Sequence, residues 1–411
     1  MASHTLPNTV RNTAQNTLGT VFYYCCQWLT TVAVVRISGY DVSGTFSLVI
    51  SYANIFGFIS LYNLRNYQLS DVTSRFVSAQ YTAAYCCSSA AALLLFFLVL
   101  PFCGFDRYTV LCCIAYLAFK YCETAMQYMF TYYQQRDQYG SILFSFILKS
   151  VLPLAAFVAT LLLGYSLLAA ILLMTAAFLL TIVIYDVSRM KGTGITGFVW
   201  KGVPVIIRES FPLMASTLIL PYMLFLIRYA VEAVSGKEAL GYFSTVTMVT
   251  VIMTTLAGSI WVVIMPELAA RFVSGKFAAL KKQVFVILTV VLLATLALLP
   301  IGQWLGGYVF SFIFGSEILP HMVLLPMTII SSGFLTGAIF LSTVLIAMRK
   351  RMQMLLCMLA GAVLLTAISF PLTRSSGSIG TLYAFTGAVI VQLVSMIILI
   401  LNTCRKGTSA K

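Results

Sequence analysis

Lys120, Glu123, Lys149, Arg228 and Glu232 stand inside stretches that are otherwise apolar, and their spacing bounds the chemistry open to them. Lys120 and Glu123 are three residues apart on one helical face, and Arg228 and Glu232 are four apart. Each couple can be a self-neutralising ion pair that reaches an interface, or part of a charged cavity. Lys149 has no acid within helical reach in its own stretch, so it needs a partner from another helix or an anionic ligand. Arg36 ends an apolar run, and Arg228 is expected to repeat its position in the second half. Ionisable groups at such depth are costly and mark function by default. Cations in an apolar cavity suit an anion such as a diphosphate, because Arg offers forked donors matched to phosphate oxygens and Lys a point charge. The expected binding set is therefore Arg36, Arg228, Lys149 and Lys120 along one cavity, with Glu123 and Glu232 as coupling or ion-pair partners.

Other chemistry lacks the residues to carry it. The chain has no glycine-rich phosphate loop, no His-containing nucleophile pair and no metal-spaced acid cluster. Its histidines are His4 and His321, and its ten cysteines include no CxxC, so neither a metal nor a cofactor is expected. Cys25, Cys26, Cys86, Cys87, Cys112, Cys113, Cys122 and Cys357 lie in apolar stretches and read as small buried residues. Phe22, Tyr23, Tyr24, Trp28, Tyr52, Tyr121, Tyr128, Tyr132 and Tyr133 read as packing or belt residues, with stacking on a sugar ring open to some of them.

The elements that must position these residues follow from composition. Of 411 residues, 61% are hydrophobic and 9% charged, against about a quarter charged in a soluble chain. Apolar runs of roughly twenty residues recur almost end to end, which is the length that crosses a bilayer as a helix. Runs without period-two alternation select helices over a barrel, so the class is all-α. Spans are expected near 17–35, 44–64, 80–102, 108–133, 140–163 and 166–186, then near 211–231, 239–265, 284–306, 320–348, 353–372 and 379–402. Between the halves lies a polar connector, 188–210, with the glycine-rich KGTGITG and an expected interfacial helix around FVWKGVPVII. The domains are thus a six-helix lobe over 1–187, the connector, and a second six-helix lobe over 211–411. The polar N-terminus and the absence of a small-residue cleavage site read as a retained first span.

Charge tests the count. With the N-terminus inside, eighteen Lys and Arg fall on inside connections, and Arg36, Arg107, Lys237 and Arg374 fall outside. That bias places both termini in the cytoplasm and explains the net charge of +14 without nucleic acid. The halves also match where each begins: VVRISGYDVSGTFSLVI and LIRYAVEAVSGKEALGYFSTV both run from an arginine through a polar turn to G-[TY]-F-S. Repeats of six spans have one orientation, which implies two parallel lobes with a substrate path between them.

Further segments are N-T-L-G at Asn16 to Gly19, L-Y-N-L-R at Leu61 to Arg65, M-P-E-L-A-A-R at Met265 to Arg271, F-G-S-E at Phe314 to Glu317 and S-I-G-T-L-Y-A at Ser378 to Ala384. In this order over twelve spans, with R-I-S-G-Y-D-V-S-G at Arg36 and G-Y-F-S at Gly241, the chain resembles the multidrug/oligosaccharidyl-lipid/polysaccharide flippase superfamily, in its polysaccharide-transport branch. The resemblance implies a V-shaped two-lobed carrier, not an enzyme, in the bacterial cytoplasmic membrane. It would move an undecaprenyl-diphosphate-linked oligosaccharide outward by alternating access, among membrane lipid and alongside polysaccharide polymerase machinery. Arg36 and Arg228 match basic positions typical of that cavity. Relatives carry an acid just before the basic residue of span seven, and here that place is Ile227, with Glu232 one turn later. The rival reading is a cation-coupled multidrug exporter of the same fold, which would want acids in its cavity; Glu123, Glu232 and Asp186 are the ones that approach it. A peptidoglycan-precursor flippase would carry additional spans, and a glycan-elongating enzyme would need larger loops.

Overall fold

The computed structural model describes residues 6–71, 75–189 and 197–409. His4, Lys191, residues 191–196 of the glycine-rich stretch, and Lys411 lie outside the described residues. All described regular structure is helical, as the apolar runs require of a chain whose solvent is lipid. The helices are α1 (Leu6–Leu61), α2 (Leu64–Ser70), α3 (Ser78–Val99), α4 (Arg107–Gln135), α5 (Tyr139–Leu162), α6 (Leu167–Thr181), α7 (Val203–Val273), α8 (Phe277–Phe314), α9 (Leu324–Ala347) and α10 (Arg351–Ser409).

Among the described residues, nine helical segments are long and apolar enough to cross a membrane. Three of the helices are too long to do so unbroken. At 1.5 Å per residue the 56 residues of α1 would run about 84 Å, against about 30 Å of hydrocarbon. Each of the three has one break: α1 at Gly39, α7 at Gly236 and α10 at Gly377. Counting a broken helix as two legs turns nine segments into twelve, the expected number. The expected polar turns between spans one and two and between seven and eight are corrected to single residues, Gly39 (φ 84°, ψ 177°) and Gly236 (φ 86°, ψ 175°). Staying helical up to the break keeps the flanking backbone groups bonded, and a positive φ is open to glycine without a Cβ penalty.

Contacts divide the chain into two compact units, 1–218 and 219–411. In the first, α1 packs on α3, α4 and α5, and α6 covers α4 and α5. Its core is aromatic: the Phe46 ring stacks on Phe157 at 5.5 Å and meets Tyr116 edge-on at 5.9 Å, while Tyr52 sits among Phe56, Phe96 and Phe105. Of the aromatic residues singled out from sequence, Tyr23, Tyr52, Tyr128, Tyr132 and Tyr133 are buried, while Phe22 and Tyr24 are exposed. Asp106 starts α4 by accepting from Thr109 N, and Ser166 starts α6 by accepting from Ala169 N. Cys26, Cys112 and Cys113 are buried as expected; Cys25 departs from the expectation and is exposed, because its face of α1 is uncovered.

In the second unit α9 packs on α8 and α10. Hydroxyls bind across these legs, Thr250 to Ser332 at 2.7 Å and Ser331 to Thr386 at 2.6 Å, as suits helices that gain nothing from apolar burial against lipid. The connector also differs from expectation. Residues 197–200 are irregular, Lys201 and Gly202 turn, and Val203 opens α7 directly, so no separate interfacial helix forms. The apolar residues expected on that helix instead dock on the first unit, where Val203 and Ile206 pack with Tyr62, Leu64, Tyr81, Ala83 and Ala84.

Candidate functional site

The end of α6 widens into a π-helical turn, Ile182–Val187, which carries Asp186. Such a turn holds one residue more than regular helix and so re-aims the side chains after it. Asp186 forms an ion pair with Lys149 of α5, and both side chains are 0% exposed. Lys149 Nζ also donates to Ser145 Oγ at 2.9 Å; Ser145 Oγ donates to Asp186 Oδ1 at 3.0 Å, and the Tyr133 hydroxyl donates to the same oxygen at 3.3 Å. The rings of Phe130 and Phe178 flank the ammonium at 5.4 and 5.9 Å. This corrects the expectation that Lys149 lines a substrate path. Its requirement for a counter-charge is met by an acid from another helix, inside the first unit, and the same contact removes Asp186 from the acids expected to approach a cavity.

Lys120 and Glu123 also pair, at 2.6 Å, with side chains 14% and 8% exposed. The pair belongs to a polar thread between α1 and α4. Gln127 Nε2 approaches Glu123 at 3.5 Å, the Tyr23 hydroxyl donates to Glu123, and Gln27 Nε2 donates to Tyr23 at 3.2 Å. The aliphatic stem of Lys120 crosses α1 at Gly57, where an added Cβ would stand 2.7 Å from its carbons. Of the two readings open for this couple, the geometry is the self-neutralising one.

Arg36 is exposed, three residues before Gly39, while Arg228 and Glu232 are half-buried in the leg before Gly236. The breaks give the register of the repeat: Gly39 precedes Gly44-Thr-Phe-Ser by the same interval as Gly236 precedes Gly241-Tyr-Phe-Ser, and Phe46 and Phe243 are both buried. In that register Arg228 matches Thr31, and Arg36 matches Ala233. The expectation that Arg228 repeats Arg36 is therefore corrected. It treated the turn as a loop of free length, whereas the legs are continuous helix up to one glycine, and Arg228 stands five residues, about 7.5 Å, further from its break.

One cluster had no signal in the sequence. Arg75 Nη1 donates to both Glu209 oxygens at 3.1 and 3.2 Å, and the Tyr67 hydroxyl donates to the same carboxylate. Asp71 accepts from Arg75 N, Phe76 N and the Tyr81 hydroxyl. Together they fasten the start of α7 to the ends of α2 and α3. Glu209 lies more than a hundred residues from Arg75 and Tyr67, so no local spacing could reveal that contact.

No family model matches the sequence, and no curated protein does. Solved structures do. An inward-facing multidrug resistance MATE family transporter of the MOP superfamily aligns with a TM-score of 0.72 at 12% identity, over 95% of this chain and 96% of that one. The lipid II flippase MurJ in an inward closed conformation aligns with a TM-score of 0.69 at 12% identity, over 94% of this chain and 87% of that one. A eukaryotic MATE transporter gives 0.57 at 13% identity, over 98% and 99%. The chain has the fold of these MOP-superfamily membrane proteins. It is a fold of multi-pass membrane proteins.

Proposed function

We propose that this chain is a flippase that carries an undecaprenyl-diphosphate-linked oligosaccharide repeat unit from the cytoplasmic to the outer leaflet of a bacterial membrane, for assembly of a surface polysaccharide. Lobes over 1–187 and 211–411, joined by the connector 188–210, would open alternately to the two sides, with both termini cytoplasmic. In this scheme the diphosphate would be taken by the cations of Arg36 and Arg228, its binding would favour closure, and release outside would reset the carrier. The observation that carries this reading is the half-buried guanidinium of Arg228 in an apolar leg, with Ile227 before it in place of an acid. Glu232, one turn on, is the coupling partner in this scheme.

The rival, a cation-coupled multidrug exporter, draws on the MATE likeness. Against it, Glu123 and Asp186 in the first unit are each bound to a lysine and present no net negative charge to a cationic drug. Deleting the gene and rescuing with wild type, Arg36→Ala and Arg228→Ala decides between them. Accumulation of complete lipid-linked units with loss of surface glycan, rescued by wild type, supports the flippase. Normal glycan with altered tolerance to cationic drugs overturns it.

A further inference from the structure

The second unit gathers its cations at one rim. α7 and α8 meet there through residues 274–276, and α9 and α10 through 348–350. Lys281, Lys282, Arg349, Lys350, Arg351 and Arg405 each stand within three residues of a member of one apolar cluster, which contains Leu280, Val284, Met348, Met354 and Cys404. Leu280 beside Lys281, Met348 beside Arg349 and Cys404 beside Arg405 pack in that one cluster, so the rim is a spatial gathering and not a coincidence of sequence. Of the acids after Leu218, Glu267 alone belongs to this end, and it is engaged by Arg271 at 2.5 Å and Gln283 at 3.1 Å.

The turn between α9 and α10 stacks like charge on strain. Three successive cations occupy it, and Arg349 holds φ at 58°, a left-handed conformation that a long side chain adopts at a cost. An anion seated among them relieves the repulsion of the three charges. Below the rim runs a bare apolar shaft: only 11% of the most apolar stretch of α8 is buried, and Phe285, Val290 and Leu293 are exposed. The shaft ends at the exposed rings of Trp304 and Tyr308, whose amphipathic rings suit the opposite headgroup layer. From Lys282 to Trp304 is about 33 Å of helix, the depth of the hydrocarbon layer. Cations at one headgroup level above an uncovered apolar wall are complementary to a lipid with an anionic head.

We propose that this rim and shaft form a binding site for an anionic phospholipid of the bilayer, its phosphate held by the Arg349–Lys350–Arg351 turn with Lys281 and Lys282, and its acyl chains along α8. The site lies wholly within the second unit and does not depend on the transport reading.

The test is native mass spectrometry of the full chain, released from nanodiscs of equal phosphatidylglycerol and phosphatidylcholine. The wild type is expected to retain phosphatidylglycerol, and R349Q/K350Q/R351Q to bind it roughly a hundredfold more weakly. R374Q, with its cation elsewhere on α10, is expected to behave as wild type. Equal retention by the triple variant, or no preference in the wild type, overturns the site. Displacement of phosphatidylglycerol by added undecaprenyl phosphate, lost in the variant, also overturns it by making the rim a substrate entrance. Should the triple variant fail to fold, K281Q/K282Q and a salt titration of the wild type replace it, and retention indifferent to both counts against the proposal.

Discussion

Gly39 and Gly236 hold nearly the same backbone, φ 84° with ψ 177° and φ 86° with ψ 175°, at corresponding places in the two halves. Nothing lies within 4 Å of where a Cβ would stand at either residue. Their identity is therefore required by the backbone alone, not by crowding.

Gly39→Ala and Gly236→Ala should each cost about 1–3 kcal/mol, the strain of an extended positive-φ backbone open essentially to glycine alone. Gly258→Ala is the control, because Gly258 is helical and equally open, so alanine there should be neutral or stabilise by up to about 1 kcal/mol. Thermal unfolding in detergent compares the three. Equal midpoints for Gly39→Ala and Gly258→Ala would refute the backbone argument.

Removing one member of the Lys149–Asp186 pair leaves a charge with no solvent and no counter-charge. Lys149→Met or Asp186→Leu alone should lose about 3–5 kcal/mol, and the double variant should recover most of it, since an apolar pair of similar volume avoids the desolvation cost. Membrane yield and monodispersity of the three variants measure this. A double variant as poor as the singles would mean that the charges contribute more than each other's neutralisation.

Arg228 lies deeper in its leg than Arg36, and the two should not be equivalent in transport. Arg228→Ala is expected to abolish export of the lipid-linked unit while the protein stays in the membrane, whereas Arg36→Ala should only reduce it. Quantitative export in the deletion strain, with immunodetection of the protein in the membrane, reads both. A reversed order would reject the assignment by depth.

The cationic rim should be insensitive to mild pH change. The hydrogen bonds from Arg271 and then Gln283 hold the Glu267 carboxyl below the usual carboxylate range. Its bonds are therefore fully present at neutral pH and lost only as pH falls through that lowered value. Lysine and arginine stay charged well above neutrality. Retention of phosphatidylglycerol should accordingly be flat from about pH 5 to 8, and a step within that window would implicate another group.

What could be read in advance was what depends on neighbours in the chain. Apolar length fixes a leg, so the helical class and the number of legs follow from it, and a spacing of three places Lys120 against Glu123. Lys149 shows the boundary of such reading: its need for a counter-charge is evident from its surroundings, but the partner is 37 residues away on a turn whose extra residue leaves no mark in composition. Arg228 shows a second boundary. The repeat was visible, but its register was not, because a single glycine in helix and a polar loop look alike in sequence. The clamp of Arg75, Tyr67 and Glu209 shows a third, since nothing local distinguishes those residues from solvated surface charges.

The wide turn at 182–187 makes the length of the chain there as consequential as its composition. A segment that accommodates one surplus residue can give it up by returning to regular helix, which keeps what lies beyond in phase, whereas a length change in regular helix rotates everything beyond it by about a hundred degrees. Swapping one apolar residue of Ile182, Val183 or Ile184 for another would leave Asp186 beside Lys149. Adding a residue to the regular helix before the turn, which has no such slack, would swing the carboxylate away, strand the ammonium, and carry Arg189 off Ser141, where it now donates at 3.2 Å. This stretch should therefore tolerate substitution and a single deletion, while the regular helix before it accepts no change in length.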